Sequence, residues 1–119
     1  ERILIASECI GDGRWFIKKA RDYACERKVF GRPIGQNQGI QFPIARAYGE
    51  IEAANLMVDH AARLYEQGKP CGTQANLSKL LASEAAWHAG EACIQTFGGF
   101  GVAEEYDVER KFRESRLYQ

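Results

Sequence analysis

The chain has 119 residues, 45% of them hydrophobic, enough to bury one respectable core but not two, so a single domain is expected. Its 16 basic residues balance 16 acidic ones, and no basic run interleaves with aromatics, which argues against a nucleic-acid surface. No apolar run is long enough to cross a bilayer, and the opening residues form neither a signal sequence nor a transit peptide.

From the start of the chain, apolar or small residues recur at Ile3, Ala6, Ile10, Gly13, Ile17, Ala20 and Ala24, in steps of three and four. That spacing predicts one face of a single long helix. Gly11 and Gly13 weaken such a helix by up to about 1 kcal/mol each relative to alanine, a cost accepted where another backbone comes close. A crowded helix contact is expected there. Arg27 and Lys28 fall at the end of this helix, where their charge opposes the negative end of the dipole. Gly31 and Gly35 then bracket a turn fixed by Pro33. A guanidinium, an aromatic ring and bare backbone N–H groups at one corner suit an anionic, partly flat ligand such as a dinucleotide phosphate. The alternative is an ordinary helix-to-helix turn with a C-terminal cation.

Pro43 is expected in the first turn of a second long helix, whose apolar stripe is Ile44, Tyr48, Ile51, Asn55, Val58, Ala62 and Tyr65. Ala47, Ala54 and Ala61 form a parallel row at spacing seven, against which a neighbouring helix can pack closely. Asn55, on the apolar stripe, either specifies register or bonds to a nearby backbone. After the connector Gly68 to Gly72, Thr73 is the expected N-cap of a third helix. Its stripe runs through Leu77, Leu81, Ala85, Ala89, Ala92 and Thr96, with Trp87 filling one edge of the core. Gln95 sits in its last turn, and Gly98-Gly99-Phe100-Gly101 ends it. This cluster follows a helix and no strand, so it is not a strand-to-helix dinucleotide fingerprint. It is either a plain C-terminal cap or a place where bare peptide groups and an amide meet a ligand.

The final segment, Asp107 to Tyr118, alternates charges around Val108 and Phe112, with Glu109 four residues before Arg113: a surface helix with supporting ion pairs. No strand-like alternation appears. The domain expected over residues 1–119 is all-α, an antiparallel, up-and-down four-helix bundle. Cys9, Cys25, Cys71 and Cys93 lie far apart and read as reduced, mostly buried thiols of an intracellular protein. His60 and His88 have no ligand neighbour at helical spacing, so no metal is assigned. The chain opens without methionine inside a helical pattern and stops at Leu117-Tyr118-Gln119 without a helix-ending signal, which reads as a piece of a longer protein.

Several segments together carry a resemblance: Glu1-Arg2 with Ile3 to Ala6, Glu26-Arg27-Lys28-Val29-Phe30-Gly31, Gln38, Gln95 to Gly101, and Arg113 to Gln119. In this order and spacing, across essentially the whole chain, they resemble the C-terminal domain of acyl-CoA dehydrogenases. The resemblance implies a FAD flavoprotein that oxidises an acyl-CoA to the 2,3-enoyl-CoA, a homotetramer that passes electrons to an electron-transfer flavoprotein. It implies N-terminal helical and middle β domains outside this chain, and a bacterial cytoplasmic or mitochondrial matrix location.

On the same basis, Arg27 and Phe30 contact FAD lying in a neighbouring subunit's site, and Gln38, Gln95, Gly98 and Gly99 belong to its adenosine-side cradle. Val29 stands where many members carry a threonine, so its contact is limited to backbone or apolar surface. Most members carry the catalytic base, a glutamate, just beyond the position of Gln119. A minority place it immediately before the arginine that opens the first helix of this domain, the position Glu1 holds before Arg2. Glu1 is therefore the candidate base here and Arg2 a candidate substrate contact; the alternative for Glu1 is an acidic residue favoured by the helix dipole. Two other readings remain at this level: a non-catalytic helical oligomerisation module, and an acyl-CoA oxidase or flavin monooxygenase on the same scaffold.

Overall fold

The computed structural model describes all 119 residues, and four helices carry the chain: α1 (Arg2–Glu26), α2 (Gln38–Glu66), α3 (Gly72–Phe97) and α4 (Asp107–Ser115). Contacts along their lengths give the directions. Gly13 of α1 meets Ile51 of α2, Arg14 pairs with Glu52, and the hairpin exit closes back on Ala24, so α2 runs antiparallel to α1. Ser78 bonds to the Met57 carbonyl and His88 to Glu50, so α3 returns antiparallel to α2. Asp107, Lys111 and Tyr118 reach Lys19, Asp12 and Glu8 in turn, which runs α4 antiparallel to α1. The result is the expected up-and-down four-helix bundle.

Gly13 explains how closely α1 and α2 meet. A Cβ added there would lie 2.0 Å from Ile51 Cδ1, so any larger residue would force the buried isoleucine side chain out of its present place against α1. Gly11, in contrast, faces open space and makes no such contact. The buried face of α1 is otherwise close to expectation, with Cys9 and Phe16 added and Ile3 and Ile17 only half-buried.

Four expectations are corrected. First, Lys28–Val29 and Arg32–Pro33 pair as a short antiparallel hairpin with Val29 opposite Arg32, where no strand was expected. Phe30 (φ 52) and Gly31 (φ 79) form its turn, the positive-φ pair that matches strand twist in two-residue hairpins, and Pro33 closes the second strand instead of fixing the turn. Second, α2 starts at Gln38, so Pro43 lies inside the helix; the bond its missing N–H forgoes is one to the solvent-exposed Gly39. Third, the α3 N-cap is Cys71, not Thr73, because the Cys71 carbonyl already accepts the Ala75 N–H at 2.8 Å.

The fourth concerns faces. α2 buries Ala47, Ile51, Ala54, Val58 and Ala61, while Tyr48 and Tyr65 are 55% and 72% exposed and Asn55 is half-buried with no protein hydrogen bond. The Asn55 side chain thus meets neither expectation: it specifies no register and bonds to no nearby backbone. The alanine row won the core because it lets three helix axes approach. Likewise α3, the central helix, buries a broad face of Ser78, Ala82, Ser83, Ala85, Ala86, Ala89, Gly90 and Cys93, and its Leu77 and Leu81 point outward. The buried hydroxyls of Ser78, Ser83 and Thr96 bond to carbonyls of their own helix, so none is left unsatisfied. Trp87 does sit at the core edge, 4.4 Å from the Phe112 ring. Of the cysteines, Cys9 and Cys93 are buried and Cys25 is exposed.

Candidate cofactor and substrate sites

One site forms where α1 ends. The α1 C-cap is Arg27, whose N–H donates to the Tyr23 carbonyl at 2.8 Å, and the hairpin then folds beside the last turn of α3. Tyr23, Arg27, Val29, Ile34, Phe97 and Gly99 are among the residues lining a cavity of about 490 Å³. The hairpin is braced from behind by Arg32 on Asn37 (2.8 Å) and by Gln41 on the Gly35 carbonyl (2.7 Å).

Arg27 is exposed, and its guanidinium lies 5.6 Å from the centre of the Phe100 ring. Arg27, like the surface arginines Arg2, Arg32, Arg46, Arg63 and Arg116, lacks a carboxylate partner, whereas Arg14, Arg21 and Arg113 are each paired with one at 2.8 Å. The charge and N–H donors of Arg27 therefore remain free for an anion. Gly98 has φ +62 and ends α3 with its N–H on the Ile94 and Gln95 carbonyls. A Cβ on Gly99 would meet open space, whereas one on Gly101 would lie 2.6 Å from the Ile94 carbonyl. Gly101 is therefore the glycine required by the protein's own packing. Gly99 leaves room toward the cavity.

The other expected residues are dispersed. Phe30 is fully exposed on its left-handed backbone, a conformation uncommon for a bulky side chain, and stands outside the cavity. Gln38 is exposed at the start of α2. Gln95 lines a separate groove of about 700 Å³ with Pro43, Arg46, Glu50, His88 and Phe112. Within one protomer, Arg27, Val29 and Gly99 come together; Phe30, Gln38 and Gln95 do not.

A second site lies at the opposite end of α1, about 36 Å away by the length of that helix. Here Glu1, Arg2, Asn76, Lys79, Glu84 and Gln119 are among the residues lining a cavity of about 620 Å³. Arg2 donates to Asn76, Lys79 donates to the Gln119 carbonyl at 3.0 Å, and the Gln119 amide donates to the Ser83 carbonyl at 2.8 Å. Glu1 is exposed at the α1 N-cap. Tyr118, next to this site, donates to Glu8 at 2.5 Å, and that bond pushes its phenol up to about 12.

What sequence reasoning missed is an aromatic cluster behind Arg27: Tyr23 stacks on Phe97 at 4.0 Å, Phe97 meets Tyr106 at 5.4 Å, and Tyr106 meets Phe100 at 5.6 Å. The available signal was the series of aromatics on either side of the glycine cluster. Cys9 and Cys93 are pushed up to about 11 and about 12, chiefly by burial, so neither offers a thiolate near neutral pH.

Fold and sites together define a helical domain with an arginine-lined cavity at one end and a carboxylate-and-cation cavity at the other. The sequence profile of the acyl-CoA dehydrogenase C-terminal domain matches residues 1–119, and the chain belongs to that family. An acyl-CoA dehydrogenase of Bacillus subtilis is 42% identical over 118 residues, which cover 99% of this chain and 31% of that protein. Butyryl-CoA dehydrogenase from Megasphaera elsdenii has a similar fold at a TM-score of 0.96 and 35% identity, over 99% of this chain and 31% of that one. PigA, solved with FAD and proline, gives a TM-score of 0.93 at 28% identity, over 98% of this chain and 30% of that one. The chain spans less than a third of the length of these proteins.

Proposed function

We propose that residues 1–119 are the C-terminal domain of a FAD-dependent acyl-CoA dehydrogenase that converts an acyl-CoA to the 2,3-enoyl-CoA. The observation that carries the reading is Arg27, a guanidinium without a carboxylate partner, set over a cavity it shares with Val29 and Gly99. The cavity residues fit FAD: Arg27 would bind pyrophosphate and Val29 would offer apolar surface, while Phe30, Gln38 and Gln95, which lie outside this cavity, would meet the cofactor only where copies of the chain come together. Gly99, which lines the cavity without a Cβ, would admit close backbone approach, with Gly98 turning the chain beside it. FAD, when bound, supplies the acceptor for the hydride that leaves the acyl β-carbon.

Glu1 takes the α-proton of the thioester, and Arg2 engages the CoA side of the substrate. The two cavities lie at opposite ends of α1, so Glu1 and Arg27 of one protomer serve different reaction centres. This separation supports an assembly of copies in which Arg27 reaches FAD held in a neighbour; we take that assembly to be a homotetramer. Reoxidation by an electron-transfer flavoprotein completes the proposal.

The test uses the full-length protein. Arg27→Ala is expected to lower FAD retained after gel filtration; unchanged stoichiometry and affinity remove the assignment. Glu1→Gln is expected to keep FAD while reduction by acyl-CoA falls by orders of magnitude. Near-normal reduction in that variant makes Glu1 structural and shifts the base elsewhere.

A further inference from the structure

The only side-chain partner of Arg27 is a ring. Phe100 lies in the 3-10 segment Gly98–Val102 after α3, far from Arg27 in sequence, and its ring faces the guanidinium at 5.6 Å. Both ends of this contact rest on one support. The Arg27 N–H bonds to the Tyr23 carbonyl, Tyr23 stacks on Phe97, and Phe97 and Phe100 both pack on Tyr106. The segment bearing Phe100 is seated by Gly101 against the Ile94 carbonyl. Phe100 itself remains 44% exposed, more than a ring placed only to fill the core would be.

A carboxylate could also orient a guanidinium, but it would occupy the N–H donors and cancel the charge. A ring does neither: it attracts the cation through its quadrupole and leaves the hydrogen-bonding edge free. We propose that Phe100 is a positioning residue for anion binding: its ring holds the Arg27 guanidinium at the cavity with all its donors directed outward, toward the diphosphate of a dinucleotide. The proposal rests on the reading of this corner as a FAD site. It requires an aromatic ring at position 100, not merely an apolar side chain.

The test is a double-mutant cycle on the full-length apoprotein, titrated with FAD by fluorescence, with thermal unfolding recorded on the same samples. Phe100→Leu is expected to raise the FAD Kd about two- to fivefold, the range of an exposed cation–π contact, while Phe100→Tyr leaves it unchanged. In an Arg27→Ala background the leucine change is expected to have no further effect. Two outcomes overturn the positioning role alone: no effect of Phe100→Leu, or the same effect with and without Arg27, as a purely structural role would give. If Arg27→Ala itself leaves FAD affinity unchanged, both this inference and the FAD reading fall.

Discussion

Asp12 is the most exacting single residue. It is 92% buried on α1, one oxygen meets Lys111 of α4 at 2.7 Å, and the other has no hydrogen-bond partner. A buried carboxylate is tolerable only while its cation stays in place. Lys111→Met is therefore expected to destabilise the domain by about 3 kcal/mol, because it leaves an uncompensated charge between two helices. Adding Asp12→Ala removes that charge and should recover most of the loss. Urea unfolding of the single and double variants at one protein concentration reads the difference; equal stabilities would mean that the pair contributes nothing beyond its side-chain volumes. Surface pairs such as Glu109 with Arg113 follow the helical spacing expected for them, but both partners are solvent-screened and contribute far less.

At the scale of elements, α4 and the 3-10 turn Arg116–Tyr118 are fastened to α1 by Asp12–Lys111 and by Tyr118 on Glu8. The phenol is raised from 10.0 to about 12, first by its hydrogen bond to Glu8 and then by desolvation. A raised pKa means that the folded state favours the protonated tyrosine. The contribution is complete below about pH 10 and is lost as the pH rises through about 12. In a tyrosinate absorbance titration of the five tyrosines, one step is expected to be delayed to about pH 12. Tyr118→Phe should remove that step; its persistence would assign it to another tyrosine. The same turn carries Gln119 to the Glu1 cavity, so this fastening also shapes the second site.

At the scale of the molecule, the bundle is a slab 57 × 26 × 16 Å, too thin to cover its own apolar side chains, and only 26 of its 119 residues are buried. On α2, Phe42, Ala45, Gly49, Ala53 and Leu56 recur at steps of three and four and are all exposed. Since Ala47, Ala54 and Ala61 are already used inside the bundle, this outer stripe is the face that the proposed assembly is expected to bury against a second copy. Leu56→Glu, at a position 71% exposed, should leave helicity intact and lower the sedimenting mass of the full-length protein. An unchanged mass would remove this stripe from the assembly.

Helix number, order and approximate ends were legible from residue spacing, because a period of three to four residues appears wherever one face of a helix is covered. The corner at Arg27 was also legible, since a cation at a helix end followed by Gly31 and Pro33 marks a change of chain direction. Which face of α2 turns inward was not. Its alanine row and its mixed stripe have the same period, and the choice fell to how closely α1 and α3 approach, as Gly13 against Ile51 illustrates. Nor did sequence bring Phe100 to Arg27 or Gln119 to Glu1, positions separated along the chain by whole helices. Local backbone preference and periodicity act over a turn or two, whereas these meetings depend on the summed lengths and packing angles of the helices between them.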